Sequence, residues 1–220
     1  MVIIMLGAPG TGKGTVAGIL KEELNIPQVS TGDIFRKHIK EKTELGILAE
    51  SYLSKGELVP DDVTIGIVED RLKENDVQNG IILDGFPRTV QQAEVLDEML
   101  KKQNKKVDIV VNLTTPKEEI IERIVNRRIC PNCKAVYNLV LNPSKKEGIC
   151  DKCGSELIQR KDDSIDTVES RLDNYLKVTS PLINYYEKNG TLFSATVSKT
   201  VNKMGADVAK DIIEYIEKLK

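Results

Sequence analysis

Four glycines surround one lysine in Gly7-Ala8-Pro9-Gly10-Thr11-Gly12-Lys13-Gly14-Thr15, which follows the apolar run Val2-Ile3-Ile4-Met5-Leu6 and leads into helix-forming sequence. A polyphosphate is bound chiefly by inward-pointing backbone N–H groups, and side chains at Gly7, Gly10 and Gly12 would block that approach. Lys13 adds a mobile positive charge at the β- and γ-phosphates, and the next helix turns its positive end toward the same oxygens. The general pattern places Ser or Thr directly after the lysine to touch Mg²⁺. Gly14 stands there instead and Thr15 comes one residue later. Phosphate binding is therefore expected without direct ligation of Mg²⁺ by that side chain. The plain alternative is a Gly-rich strand-to-helix turn with no ligand.

Phosphoryl transfer asks little covalent help from a protein but much positive charge around both reactants. Arg36, Arg88, Arg123, Arg127, Arg160 and Arg171 are the candidates, although any one of them alone also reads as a surface residue. Arg88 lies in Ile81-Ile82-Leu83-Asp84-Gly85-Phe86-Pro87-Arg88, where a buried strand ends in an Asp and a Gly-x-Pro turn. That is the carboxyl edge of a sheet, the usual ligand side. Asp84 is the natural carboxylate on the Mg²⁺ side, acting through water, or else a turn cap. Arg123 and Arg127 are four apart and so share one helix face. Arg160-Lys161-Asp162-Asp163 closes the segment that Arg123 to Arg128 opens. His38 is the single histidine, which excludes any site built on a histidine pair.

All four cysteines fall within this segment, as Cys130-Pro131-Asn132-Cys133 and Cys150-Asp151-Lys152-Cys153, sixteen residues apart. Two Cys-x2-Cys knuckles at that spacing read as a structural zinc site. Four thiolates leave no open position for water or substrate, so the metal would hold the segment together rather than react. Iron suits the same donors. A pair of disulfides, a redox pair and a nucleic-acid-binding ribbon using Lys134, Lys145 and Lys146 are the alternatives. The ribbon reading has only Tyr137 for stacking on bases.

These groups need a frame, and short apolar runs alternating with helical patterns supply one: a parallel sheet covered by helices on both faces. Strands are expected at 2–6, 27–29, 81–84, 108–112 and 191–195. Helices are expected at 13–24, 31–40, 44–54, 61–74, 89–101, 116–128, 164–188 and 202–219. Asp61 caps one helix, Thr115-Pro116 opens another, and Gly56 and Gly190 close two more. Segments 30–59 and 128–160 break the alternation and read as insertions on the core. With 220 residues, 40% hydrophobic, 30% charged and net charge −2, the chain can bury one good core and favours neither nucleic acid nor disorder. The apolar start is too short for a membrane span and lacks a signal peptide's basic flank, so a cytoplasmic protein is expected.

Taken together, Gly7 to Thr15, Ser30-Thr31-Gly32-Asp33 with Arg36, Leu83 to Arg88 with Gln92, Arg123 to Arg128, and Arg160 to Asp163 with Arg171 resemble adenylate kinase, essentially end to end. The likeness is to the long form whose lid carries zinc. It implies the α/β P-loop nucleoside monophosphate kinase fold, with five parallel strands and two mobile insertions. The core would comprise 1–29, 60–126 and 161–220, with an AMP-binding insertion at 30–59 and a lid at 127–160.

Gly10, Thr11, Gly12, Lys13, Gly14, Thr15, Arg123, Arg127, Val136, Tyr137 and Lys199 would border ATP. Thr31, Arg36, Glu57, Leu58, Val59, Gly85, Phe86, Pro87, Arg88, Gln92, Arg160 and Arg171 would hold AMP, with Thr31, Gly85 and Gln92 reading its base. Lys13, Asp84, Arg88, Arg123, Arg160 and Arg171 would serve the transfer itself, and Cys130, Cys133, Cys150 and Cys153 the zinc. The resemblance also implies Mg²⁺ carried with ATP, and a monomer acting on ATP, AMP and ADP without nucleic acid or membrane. A kinase of this fold with another acceptor base, and a P-loop switch or ATPase, are the rival readings.

Overall fold

The structure, a computed structural model, describes residues 1–199 and 204–219. Five strands form one parallel sheet: β1 (Val2–Gly7), β2 (Gln28–Ser30), β3 (Ile81–Asp84), β4 (Ile109–Thr114) and, after two strands outside this sheet, β7 (Leu192–Thr196). Their order is β2-β3-β1-β4-β7. The central run Val2 to Leu6 is apolar at every position because helices cover both faces of the sheet. Val2, Ile4 and Leu6 pack with α4 (Asp61–Leu72), α5 (Val90–Lys102) and α8 (Pro181–Lys188), through Val68, Leu96 and Leu182 among others. Ile3 and Met5 point the other way, onto Val16 and Leu20 of α1 (Lys13–Leu24) and Ile212 of α9 (Gly205–Lys218). One strand thus anchors two cores.

The expected strands shift by at most two residues at an end, and most helices likewise. Residues 202 and 203 of the last expected helix lie outside the described residues. Between β2 and α4, helices α2 (Thr31–Glu41) and α3 (Glu44–Leu53) form a small unit over Phe35, Ala49 and Val59. Ser30 and Thr43 cap these two helices with their side chains.

Three local expectations are corrected. Helix 164–188 is two helices, α7 (Ile165–Asn174) and α8, joined by a π turn at Tyr175–Thr179. Pro181 has no N–H and its ring clashes with the preceding turn. Helix 116–128 stops at Val125 as α6 (Lys117–Val125), and Arg127 instead begins β5 (Arg127–Ile129), antiparallel to β6 (Val136–Asn138). Arg123 and Arg127 therefore do not share a helix face. Asp61 is not the cap of α4 either: Pro60 occupies that position without a side-chain bond. Among the described residues no helix is long and apolar enough to cross a membrane.

Candidate active site

β1 ends at Gly7, and Asp84 at the end of β3 is the register partner of Met5, so the glycine loop and this carboxylate meet at one sheet edge. Gly7 has φ +139, and a Cβ there would sit 2.4 Å from the Leu113 carbonyl oxygen. At Gly10, φ is +83 and a Cβ would meet the Ile124 side chain at 2.8 Å. The demand for glycine at these two positions therefore comes from packing within the protein, not only from a ligand's approach. Thr11 is buried and donates to the Ala8 carbonyl oxygen at 2.9 Å, which fixes the loop's shape. Lys13 Nζ donates to the carbonyl oxygens of Gly7 at 2.7 Å and Ala8 at 2.9 Å. Gly14 faces Asp84: a Cβ there would lie 3.8 Å from Asp84 Oδ2.

Cations crowd this edge. Burial pushes the Lys13 ammonium down to about 8; Asp84 opposes that shift, while Arg88, Arg171 and Arg127 add to it. Burial, with Arg171 and Arg36 beside it, pushes Arg88 down to about 10. Arg160 is likewise at about 10 through burial and the nearby Arg36 and Arg127. Burial also lowers Arg171. Acidic partners relieve part of the strain: Arg127 Nε donates to Asp163 at 2.9 Å, and Arg171 donates to Asp162 at 3.1 Å. Arg36 donates to Asp33 at 2.6 Å. Despite their burial, Asp33 and Asp162 are held below the usual carboxylate range, Asp33 chiefly by Arg36 and Asp162 chiefly by Arg171. Groups that mutually depress one another's basicity are stabilised together by a polyanion.

Next to the cations, Thr31, Leu58, Val59, Gly85, Arg88 and Gln92 line a cleft. Arg36, Glu57, Arg88 and Arg171 line an adjoining one. An apolar-walled slot thus opens onto a cationic mouth. Thr31 Oγ1 donates to the Gly85 carbonyl oxygen at 2.9 Å, tying α2 to the turn after β3. Phe86 is buried in the sheet core, so its side chain supports the turn from behind.

Arg123 has an acidic partner of its own. It donates to Glu119 at 2.9 Å, and the same carboxylate accepts from Ser198 Oγ and from the Lys199 backbone N–H at 3.3 Å. Hydrogen bonds from Ser198 and Lys199, with the charge of Arg123, hold the Glu119 carboxyl below the usual range against its burial. Arg123 and Lys199, both expected on the ATP side, are thereby joined through one residue.

The sequence comparisons point the same way. The family model described as adenylate kinase matches residues 5–191. An adenylate kinase of Clostridium botulinum (strain Hall) is 54% identical over 209 residues, covering 95% of this chain and 97% of its own. The chain belongs to the adenylate kinase family. An adenylate kinase of Bacillus pumilus is 49% identical over 218 residues, covering 99% of this chain and 100% of its own, and one of Clostridium kluyveri is 53% identical over 204 residues, covering 93% and 94%.

In this adenylate kinase family member the four cysteine Sγ atoms lie within 4.8 Å of one another. Cys130 and Cys153 are 3.4 Å apart, and Cys133 and Cys150 3.5 Å. Thiolates about 2.3 Å from a tetrahedral zinc ion stand roughly 3.8 Å apart, so the donor set fits zinc. Tyr137 turns its phenol to this cluster: its hydroxyl lies 3.5 Å from Cys150 Sγ and accepts from Asp151 N–H at 2.8 Å. Any contact it makes with nucleotide falls to its backbone. Val136 is exposed.

Four residues of the site escaped the motifs. Phe35 and Leu53 form part of the slot's apolar wall and Thr64 lines it too; helical periodicity shows them only as core. Glu119 was detectable as the residue four before Arg123.

Proposed function

We propose that this chain catalyses the reversible transfer MgATP + AMP = 2 ADP, with the glycine loop holding the donor triphosphate and the slot holding AMP. The observation that carries the reading is a crowd of mutually repelling cations between a phosphate loop and an apolar slot. It matches two phosphate chains brought end to end.

An AMP phosphate oxygen, already anionic, attacks the γ-phosphorus in line. The bond from that phosphorus to the β–γ bridging oxygen breaks, and no general base or phospho-enzyme is needed. Lys13, Arg88, Arg123, Arg160 and Arg171 carry the charge that spreads over the transferred group. Asp84, beside Gly14, would hold the Mg²⁺ that ATP brings, and that ion would supply neutralisation of part of the phosphate charge. Arg127, Gly10 to Thr15, Val136, Tyr137 and Lys199 complete the ATP side. Thr31, Arg36, Glu57, Leu58, Val59, Gly85 to Arg88 and Gln92 complete the AMP side. Segment 30–59 serves as the AMP-binding insertion. Segment 127–160, stapled by zinc on Cys130, Cys133, Cys150 and Cys153, serves as a lid that excludes water, the competing nucleophile.

The enzyme acts as a cytoplasmic monomer on small nucleotides, in keeping with a net charge of −2. Mixing protein, MgATP and AMP tests the reading: two ADP should appear per AMP consumed. ATP hydrolysis without AMP, or faster turnover with UMP, CMP or GMP, would overturn it.

A further inference from the structure

Asp61 belongs to none of the motifs that carry the reaction. As the first residue of α4 it would ordinarily serve the helix end, yet its carboxylate reaches across to the start of α5. Oδ2 accepts from Thr89 Oγ1 at 2.7 Å and Oδ1 accepts from Gln92 Nε2 at 2.7 Å. Gln92 is only 1% exposed. Its Oε1 accepts from the Arg88 backbone N–H at 2.7 Å.

Chemistry alone assigns the two ends of this amide. A carboxylate offers only acceptors and must face the NH₂; a backbone N–H must face the carbonyl oxygen. An unconstrained glutamine amide can turn by half a revolution and exchange donor for acceptor. Here the two contacts forbid that exchange. One N–H on Nε2 and one lone pair on Oε1 remain for the slot that Gln92 lines beside Thr31, Val59 and Gly85. Adenine presents a donor at its 6-amino group and an acceptor at N1, which match that pair. A 6-oxopurine presents an acceptor and a donor in the same places, so both contacts fail.

We propose that Asp61 is a specificity-determining positioning residue: by locking the Gln92 amide in one orientation it selects a 6-aminopurine monophosphate over a 6-oxopurine one. The inference rests on the reading that the slot takes the base of AMP. Without the carboxylate only the Arg88 N–H holds the amide, so it turns more readily to suit either base.

The test is steady-state kinetics with AMP and with IMP as acceptor, for Asp61→Ala, Asp61→Glu and Gln92→Leu. Asp61→Ala should raise KM for AMP about tenfold and lower the AMP-over-IMP preference about tenfold, with KM for ATP within about twofold. Asp61→Glu keeps the charge but displaces the carboxylate by a methylene, and should move both quantities in the same direction by less. It also carries the test if the alanine variant does not fold. Losses shared equally by AMP, IMP and ATP would mark a merely structural role and overturn the proposal. Gln92→Leu separates the two levels. If it leaves KM for AMP unchanged, the base is not at Gln92 and the reading of the slot fails. If it raises that KM while both Asp61 variants keep the wild-type AMP-to-IMP ratio, only the proposal for Asp61 falls.

Discussion

Replacing Lys13 by methionine should stabilise the folded protein at neutral pH while removing its hold on ATP. Burial in the site, together with the arginines around it, pushes the Lys13 ammonium from its ordinary 10.5 to about 8. At roughly 1.36 kcal/mol per pKa unit, keeping it charged in the fold costs about 3 kcal/mol at neutral pH. Solvent at the partly open loop mouth, and the bonds from Nζ to the Gly7 and Ala8 carbonyl oxygens, offset part of that cost. The net gain expected for Lys13→Met is about 1–2 kcal/mol, or about 2–8 °C in Tm.

The sign of the pH dependence follows from linkage. Because the folded pKa is depressed, the unfolded chain binds more protons between about 8 and 10.5, and wild-type stability rises with pH across that interval. The cost is present in full below about 8 and gone above 10.5. Urea unfolding followed by circular dichroism, on both proteins at neutral pH and near the upper limit of that interval, should show the advantage of the variant shrink toward zero. A non-hydrolysable ATP analogue should stabilise the wild type and not the variant. A variant less stable than wild type at neutral pH, or a difference that does not change with pH, would refute the reasoning.

Arg88→Lys keeps the charge but loses the planar fork and the Nε bond to the Gly85 carbonyl oxygen at 2.9 Å. Turnover should fall about 100- to 1,000-fold with an unchanged circular dichroism spectrum, and near-normal kinetics would contradict the assignment. Stripping the metal from the four cysteines should lower Tm more than it lowers activity near room temperature, because the small cluster of Cys130, Tyr137 and Cys150 cannot by itself hold the segment together. Assays before and after chelation over a temperature series decide this; equal losses at every temperature would refute it.

Much of the site was legible because its signals are local. The glycine loop, the Asp84-Gly85-Phe86-Pro87-Arg88 turn and the two cysteine knuckles each draw their chemistry from neighbours in sequence. The central strand was legible for a related reason, since burial on both faces leaves no polar position between Val2 and Leu6 to blur the run. The helix at 164–188 reads as one because its apolar periodicity continues past Pro181; that proline signals a break, but the π turn before it shows only in backbone hydrogen bonding. The short ribbon of β5 and β6 has too few residues to show a period of two.

What the sequence by itself determined is the inventory: a phosphate loop, a set of arginines, four metal-binding thiols and a doubly covered parallel sheet. Which of these meet is a matter of distances between residues far apart in the chain. Tertiary structure alone joined Arg123 to Lys199 through Glu119, turned Tyr137 to the cysteines, and set the Asp61 carboxylate against Gln92. Periodicity reports only whether a face is buried. It carries no information on which polar atom a buried carboxylate will find there, because hydrogen bonding depends on position and direction in space.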